Sequence, residues 1–137
     1  MAKICYKNLR GYKYELMKTL SVELPELAGL EFFHSYFRLK NGVLMIRHTY
    51  CWDGATGVPD NPDNIRATLV HDVLYQAMRE GLLDRKYKDA ADNILRRLCI
   101  EDGMKKFWAD VIFKGVQAFG KSATFPAKKP KGEIIEI

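Results

Sequence analysis

The sequence predicts an α+β fold: an N-terminal antiparallel β-hairpin or meander, followed by a three-helix C-terminal part containing an antiparallel helix pair. Three observations predict it. Phe33, Ser35, Phe37 and Leu39, then Leu44, Ile46, His48 and Tyr50, fall at every second position, the period of a strand. Beyond residue 63 the apolar residues recur at three and four, the period of a helix buried along one side. Between the two regimes lie residues 53–63, DGATGVPDNPD, whose glycines and prolines exclude regular structure.

Taken in order, residues 12–24 hold one or two strands, ended by Pro25. Asn41-Gly42 supplies a two-residue hairpin turn, so Leu39 should face Leu44, Phe37 should face Ile46 and Phe33 should face Tyr50. Asp63 or Asn64 can cap a first helix that runs to about Glu80, with Gly81 as its stop. A second helix is expected from about Arg85 to Glu101, ending near Gly103. A third should span Met104 to Phe119, with Phe107, Trp108, Val111, Ile112, Val116 and Phe119 at core spacing. We expect a single domain over residues 1–120, and over 121–137 a flexible Lys/Pro-containing tail whose Ile134, Ile135 and Ile137 could add to a partner surface.

Bulk properties narrow the function classes. The 137 residues, 47% of them hydrophobic, suit one globular domain. No apolar run approaches the roughly 18 residues of a membrane span, and MAKICYKNLRGYKYELMK lacks a signal-peptide core. Cys5, Cys51 and Cys99 have neither disulfide-framework nor zinc-site spacing, and read as reduced thiols. Of the net charge of +5, residues 121–137 supply +2 from four lysines and two glutamates, leaving +3 spread over the rest. That charge is too diffuse to demand nucleic acid and no recognition motif appears, so no specific nucleic-acid partner is expected. A mild attraction to anionic lipid headgroups is permitted.

The chemistry-bearing residues lie on the first two helices. At 100° per residue, Leu69, Val70, Val73, Leu74, Ala77 and Met78 form an apolar arc with His71 just past one edge and Tyr75 one turn later. On the second helix Ala90, Ala91, Ile94, Leu95, Leu98 and Cys99 form a similar arc, with Asp92 past its edge in the same rotational sense. A short link makes the helices antiparallel, and the two-fold relation of such a pair brings His71 and Asp92 to one side at comparable heights. A carboxylate accepting from one imidazole nitrogen fixes the tautomer and leaves the other free to take a proton from water. Tyr75 is placed to donate to Asp92.

Asp72 points off the apolar arc, and the preceding loop brings Asp53 beside Gly54 and Gly57. Two carboxylates with carbonyls and waters can meet the six to eight oxygens of calcium, whereas no thiolate or paired imidazole invites zinc. The competing reading is structural: a buried His71–Asp92 hydrogen bond locking two helices, with Tyr75 a core aromatic. His34 and His48 read as cross-strand surface residues. Arg96 and Arg97 read as a solvated face, with Arg96 able to meet an anionic headgroup, and Glu101 and Asp102 as closing a helix.

The run His71-Asp72-Val73-Leu74-Tyr75 resembles the His-Asp-x-Cys-Tyr helix of phospholipases A2. Asp53-Gly54-Ala55-Thr56 is similar to the Asp-Gly-Cys-Ser segment of their bacterial and fungal branch, and Ala91-Asp92-Asn93 looks like their second-helix aspartate. The resemblance implies His71 as base, Asp92 as its partner, and Asp72, Asp53 and the Gly54 carbonyl as calcium ligands. Leu74 and Ala55 stand where that motif has cysteines. Residues 43–120 also resemble an uncharacterised family of tailed-phage and prophage proteins, through Asp53 to Pro59, His71 to Tyr75, Ala91-Asp92 and Phe119-Gly120; the loop here is longer by one residue, in Gly57-Val58-Pro59. Together these imply a calcium-assisted hydrolase of a phospholipid or related acyl ester, at work in the host cytoplasm during infection. The alternative is a virion or assembly component of the tail or head–tail region, joined to other virion proteins through the C-terminal tail.

Overall fold

The structure, a computed structural model, describes residues 6–8, 14–52 and 62–125. The expectations for Cys5, for Asp53 and Gly54 as metal ligands, and for the tail from residue 126 onward lie outside those residues. The chain divides into two compact units, with the strands in one (up to Asp53) and the helices in the other (Gly54–Lys128). The α+β architecture is that of the sequence reading, strands first and three helices after.

The β unit holds two antiparallel sheets. In the first, β1 (Tyr6–Asn8), β2 (Tyr14–Leu16) and β7 (Cys51–Trp52) lie in the order β1-β2-β7. The second has the order β3-β6-β5-β4, from β3 (Leu20–Glu23), β4 (Phe32–Phe33), β5 (Phe37–Lys40) and β6 (Val43–Ile46). Asn41 (φ 52°) and Gly42 (φ 73°) both take left-handed backbone, the conformation of a type I′ hairpin turn and the reason this dipeptide sets the register. That register is Leu39 opposite Leu44 and Phe37 opposite Ile46, as expected. Leu20, Val22, Phe32, Phe37, Leu39, Leu44 and Ile46 are all buried, so one face of this sheet is core. Pro25 ends β3 and opens a 3₁₀ turn, Pro25–Leu27.

One pairing is corrected. Phe33 does not face Tyr50; it pairs with Arg38 in a second hairpin turned at residues 34–36, and Phe32 takes the inward position. The period-two pattern runs on through that turn in the sequence, and a tight turn resets which face each residue occupies. Phe33 is consequently 56% exposed.

The helical unit comprises α1 (Ile65–Arg79), α2 (Lys88–Glu101) and α3 (Lys106–Phe119). Asn64 stands at the N-cap of α1, and Gly81 (φ 76°) and Gly103 (φ 107°) follow α1 and α2 in the left-handed backbone that stops a helix. Asp84 accepts from the Lys86 amide, so Arg85–Tyr87 is a 3₁₀ turn and α2 begins only at Lys88. Along α1 every residue from Ile65 to Met78 except Asp72 is buried. Burial extends well beyond the apolar arc, and Arg66, Thr68, His71 and Gln76 are taken out of water with it. Each then requires a partner, because an unpaired buried polar group costs about 1–3 kcal/mol. Lys121–Thr124 close the described chain in a 3₁₀ turn against α1, with Arg79 donating to the Ala123 carbonyl at 3.1 Å.

The inward face of α3 differs from the expected one. Phe107 (66% exposed), Trp108 (57%) and Val111 lie on the surface, while Ala109 is buried and Ile112, Phe113 and Val116 are half-buried. Ile112 and Val116 turn inward as expected, while Phe107, Trp108 and Val111, which share the helical spacing, do not. The small Ala109 is fully buried and the aromatic pair is left outside.

Candidate active site

α1 and α2 pack side by side, with α3 across α2. Their contact brings together residues from all three helices around Asp92, which is fully buried. His71 Nε2 lies 2.7 Å from Asp92 Oδ1, and the Tyr75 hydroxyl donates to the same oxygen at 2.6 Å. The other oxygen, Oδ2, accepts from Lys88 Nζ at 2.7 Å and from Gln117 Nε2. Lys88 also donates to the Val116 carbonyl at 3.1 Å, and Gln117 to Asp89. Four donors therefore converge on one carboxylate.

The electrostatics follow from that count. Burial by itself would raise the Asp92 carboxyl, but the hydrogen bonds from His71, Lys88 and Tyr75 outweigh it and hold the group below the ordinary aspartate value. Asp92 is thus an acceptor only. Burial, then the bond to Asp92, pushes the Tyr75 phenol upward, with the charges of Asp92, Asp89 and Asp72 adding to the effect, so Tyr75 remains a donor. An acceptor-only carboxylate at Nε2 requires the proton on that nitrogen, which leaves the lone pair of neutral His71 on Nδ1. Among the described residues Nδ1 has no hydrogen-bond partner. The ring is held from the side by Tyr75, centroid to centroid 4.0 Å.

The structure brings His71, Asp92 and Tyr75 into contact, as the helix geometry predicts. Asp72, half-buried, lies next to them on α1, close enough for its charge to act on the Tyr75 hydroxyl. Among the described residues there is no group of three or more His, Cys, Asp or Glu side chains placed to hold a metal ion. His34 is half-buried, stacked on Phe37 at 4.2 Å, rather than a plain surface residue. Arg96 and Arg97 are paired, to Asp110 and Glu101 respectively, rather than simply solvated. The Cys99 thiol is pushed up to about 12, first by burial and then by the charges of Asp102 and Asp63, which makes it inert.

Four residues were missed. Lys88 was legible, since it stands four positions before Asp92 on the same helix. Gln117 was not, because it depends on where α3 lands. Gly120, read only as part of a motif, has a steric reason: a Cβ there would stand 2.6 Å from the Tyr75 hydroxyl. Arg66 makes a bidentate pair with Asp102, at 3.0 and 2.9 Å, and reaches Glu101 at 3.2 Å. Glu101 and Asp102 therefore do more than close a helix. No family model, curated protein or solved structure matches this chain.

Proposed function

We propose that the chain is a hydrolase of phospholipid or related acyl esters, with His71 as the base that activates water and Asp92 as the group that orients it. The observation that carries this reading is the 2.7 Å contact through Nε2, which leaves Nδ1 as the basic nitrogen. In the reaction Nδ1 removes a proton from water as its oxygen attacks the ester carbonyl. The imidazolium formed is stabilised through Nε2 by Asp92, and Tyr75 keeps that carboxylate in place. When the tetrahedral intermediate collapses, the proton passes from His71 to the departing alkoxide, giving a carboxylic acid and an alcohol. General-base help of this kind is worth about 10²–10⁴ in rate.

A lipid substrate is supported by the surface of α3 in the same unit. Phe107 and Trp108, in edge-to-face contact at 5.0 Å, are both more than half exposed, with Lys105 and Lys106 also exposed beside them. Aromatic and cationic residues together suit an anionic lipid interface. On the motif resemblance alone, Asp72, Asp53 and the Gly54 carbonyl would be the calcium ligands. Bound there, a hard cation would polarise the ester carbonyl and stabilise its oxyanion. The phage setting, in the host cytoplasm during infection, rests on the sequence motifs.

The test is fatty-acid release from phosphatidylglycerol vesicles with calcium present. The wild type should release fatty acid, His71→Gln should not, and a chelator should silence the wild type. Equal release by His71→Gln removes the base, and release unaffected by the chelator removes calcium. One observation favours a second reading, a scaffold in a virion or assembly intermediate. Asp92 is saturated with donors drawn from three helices, as a purely structural cross-link would be. Recovery of the chain in assembled particles, with no hydrolysis of any ester offered, would decide for that reading.

A further inference from the structure

The β unit carries a groove that the hydrolytic reading leaves unused. On the outward face of the four-stranded sheet, Phe33 of β4 lies beside Arg38 of β5, Arg38 beside Met45 of β6, and Met45 beside Ser21 of β3. Tyr36, in the turn at residues 34–36, also lines this face. Arg47 is tied to it: its amide donates to the Tyr36 carbonyl at 2.7 Å, and its guanidinium lies 5.7 Å from the Tyr36 ring centroid. Phe33, Arg38, Met45 and Arg47, together with Thr19 and residues 34–37, line a groove of about 320 Å³.

Its lining has a definite chemical character. It holds two guanidinium groups, four aromatic or imidazole rings and two hydroxyls in addition to the Tyr36 phenol, and no carboxylate. Arg38 and Arg47 are exposed and neither is in an ion pair among the described residues. Phe33, the cross-strand neighbour of Arg38, is 56% exposed on a sheet whose other face is core. The complementary ligand is an anion joined to a flat apolar ring. A nucleotide has that chemistry: its base stacks on an aromatic side chain, while its phosphate takes the planar fork of arginine. The volume, near the lower end of the roughly 300–1,000 Å³ range of small-ligand sites, admits one such unit.

We propose that this groove binds a nucleotide unit, its base against Phe33 and its phosphate between Arg38 and Arg47. Stacking and phosphate contacts read no base identity, so binding is independent of base sequence. That agrees with the absence of any sequence-recognition motif. The site is assembled from two hairpins and a turn, which is why no contiguous run of residues announced it. It stands whether or not the helical unit is a hydrolase.

The experiment is fluorescence anisotropy on the full chain, with a labelled oligothymidylate of about ten nucleotides as probe and unlabelled AMP as competitor. The oligonucleotide should bind, and each guanidinium removed in Arg38→Gln and Arg47→Gln should lower the slope of log affinity against log salt by about 0.7. Phe33→Ser should weaken binding about tenfold at fixed salt. Competition by AMP identifies a free nucleotide as the natural source, and failure of AMP to compete identifies a strand. The three side chains are exposed, so the variants should keep the wild-type thermal transition; were Phe33→Ser to unfold, the arginine variants carry the test alone. The proposal is overturned if neither probe binds, if the variants bind as the wild type does, or if they alter only adsorption to phosphatidylglycerol vesicles.

Discussion

Arg66–Asp102 and His71–Asp92 both tie α1 to α2 or its C-cap, and the difference between them separates chemistry from architecture. Arg66 with Asp102 is a closed pair: the guanidinium donates twice to one carboxylate and once to Glu101, and it never gives up its proton at working pH. Burial would lower the Arg66 value, but Asp102 and Glu101 together hold it raised. His71 with Asp92 is an open pair. Its carboxylate is more heavily bonded than Asp102, yet the imidazole retains a nitrogen with no partner among the described residues. A guanidinium can only hold the helices together. An imidazole in the same situation can also move a proton.

The largest stability effect is expected at the hub of the open pair. Asp92→Ala removes the acceptor for four donors, three of them from neighbours that are buried or nearly so, and should cost about 3–5 kcal/mol in urea unfolding. The milder Asp92→Asn tests the charge. Because the folded carboxyl titrates below its ordinary value near 3.9, its contribution is complete above about pH 4 and is lost as pH falls through the lowered folded value. The acid limb of stability against pH should therefore be shallower in Asp92→Asn than in the wild type. An unchanged limb would mean that Asp92 is not held ionised by its donors.

At the closed pair, Arg66→Met leaves the half-buried Asp102 without its main partner and should cost about 2–4 kcal/mol. Adding Asp102→Leu should recover most of that loss, because an apolar pair can replace a buried ion pair nearly without cost. The matching double replacement of His71 and Asp92 should recover little, since Tyr75, Lys88 and Gln117 remain without their acceptor. Equal recovery at the two sites would erase the distinction drawn between them. Smaller still is Gly120→Ala, whose Cβ would stand 2.6 Å from both the Tyr75 hydroxyl and the Val116 carbonyl; about 1–3 kcal/mol is expected. Only part of that is relieved when Tyr75 is already phenylalanine, since the clash with the Val116 carbonyl remains. Tyr75→Phe alone leaves Asp92 with three donors and should cost about 1 kcal/mol in the same unfolding experiment.

What the sequence made legible follows from which interactions are local. The I′ turn at Asn41-Gly42 fixes its own register, so the pairs at Leu39 and Phe37 could be read in advance. Phe33 could not, because the second hairpin is set by the turn at 34–36, which has no comparable dipeptide. The meeting of His71 with Asp92 was readable since a short link between two amphipathic helices leaves one way to bury both arcs. The face of α3 was not, because two stripes share the helical spacing, and the one buried carries the small Ala109 while the one with Phe107 and Trp108 lies outside. Gln117 and the Arg66–Asp102 pair depend on tertiary placement that periodicity does not encode. The candidate calcium ligands Asp53 and Gly54 belong to residues outside those described, and the sequence motif alone carries them.

The most direct test of the dyad is a double-mutant cycle on hydrolysis, using His71→Gln, Asp92→Asn and both together, each first shown to be folded. If the two side chains act as one base, each single change lowers kcat by about 10²–10⁴ and the pair together costs no more than His71→Gln alone. Additive losses, or single variants that lose stability while turning over ester as fast as the wild type, would contradict it and leave Asp92 as a structural cross-link between three helices.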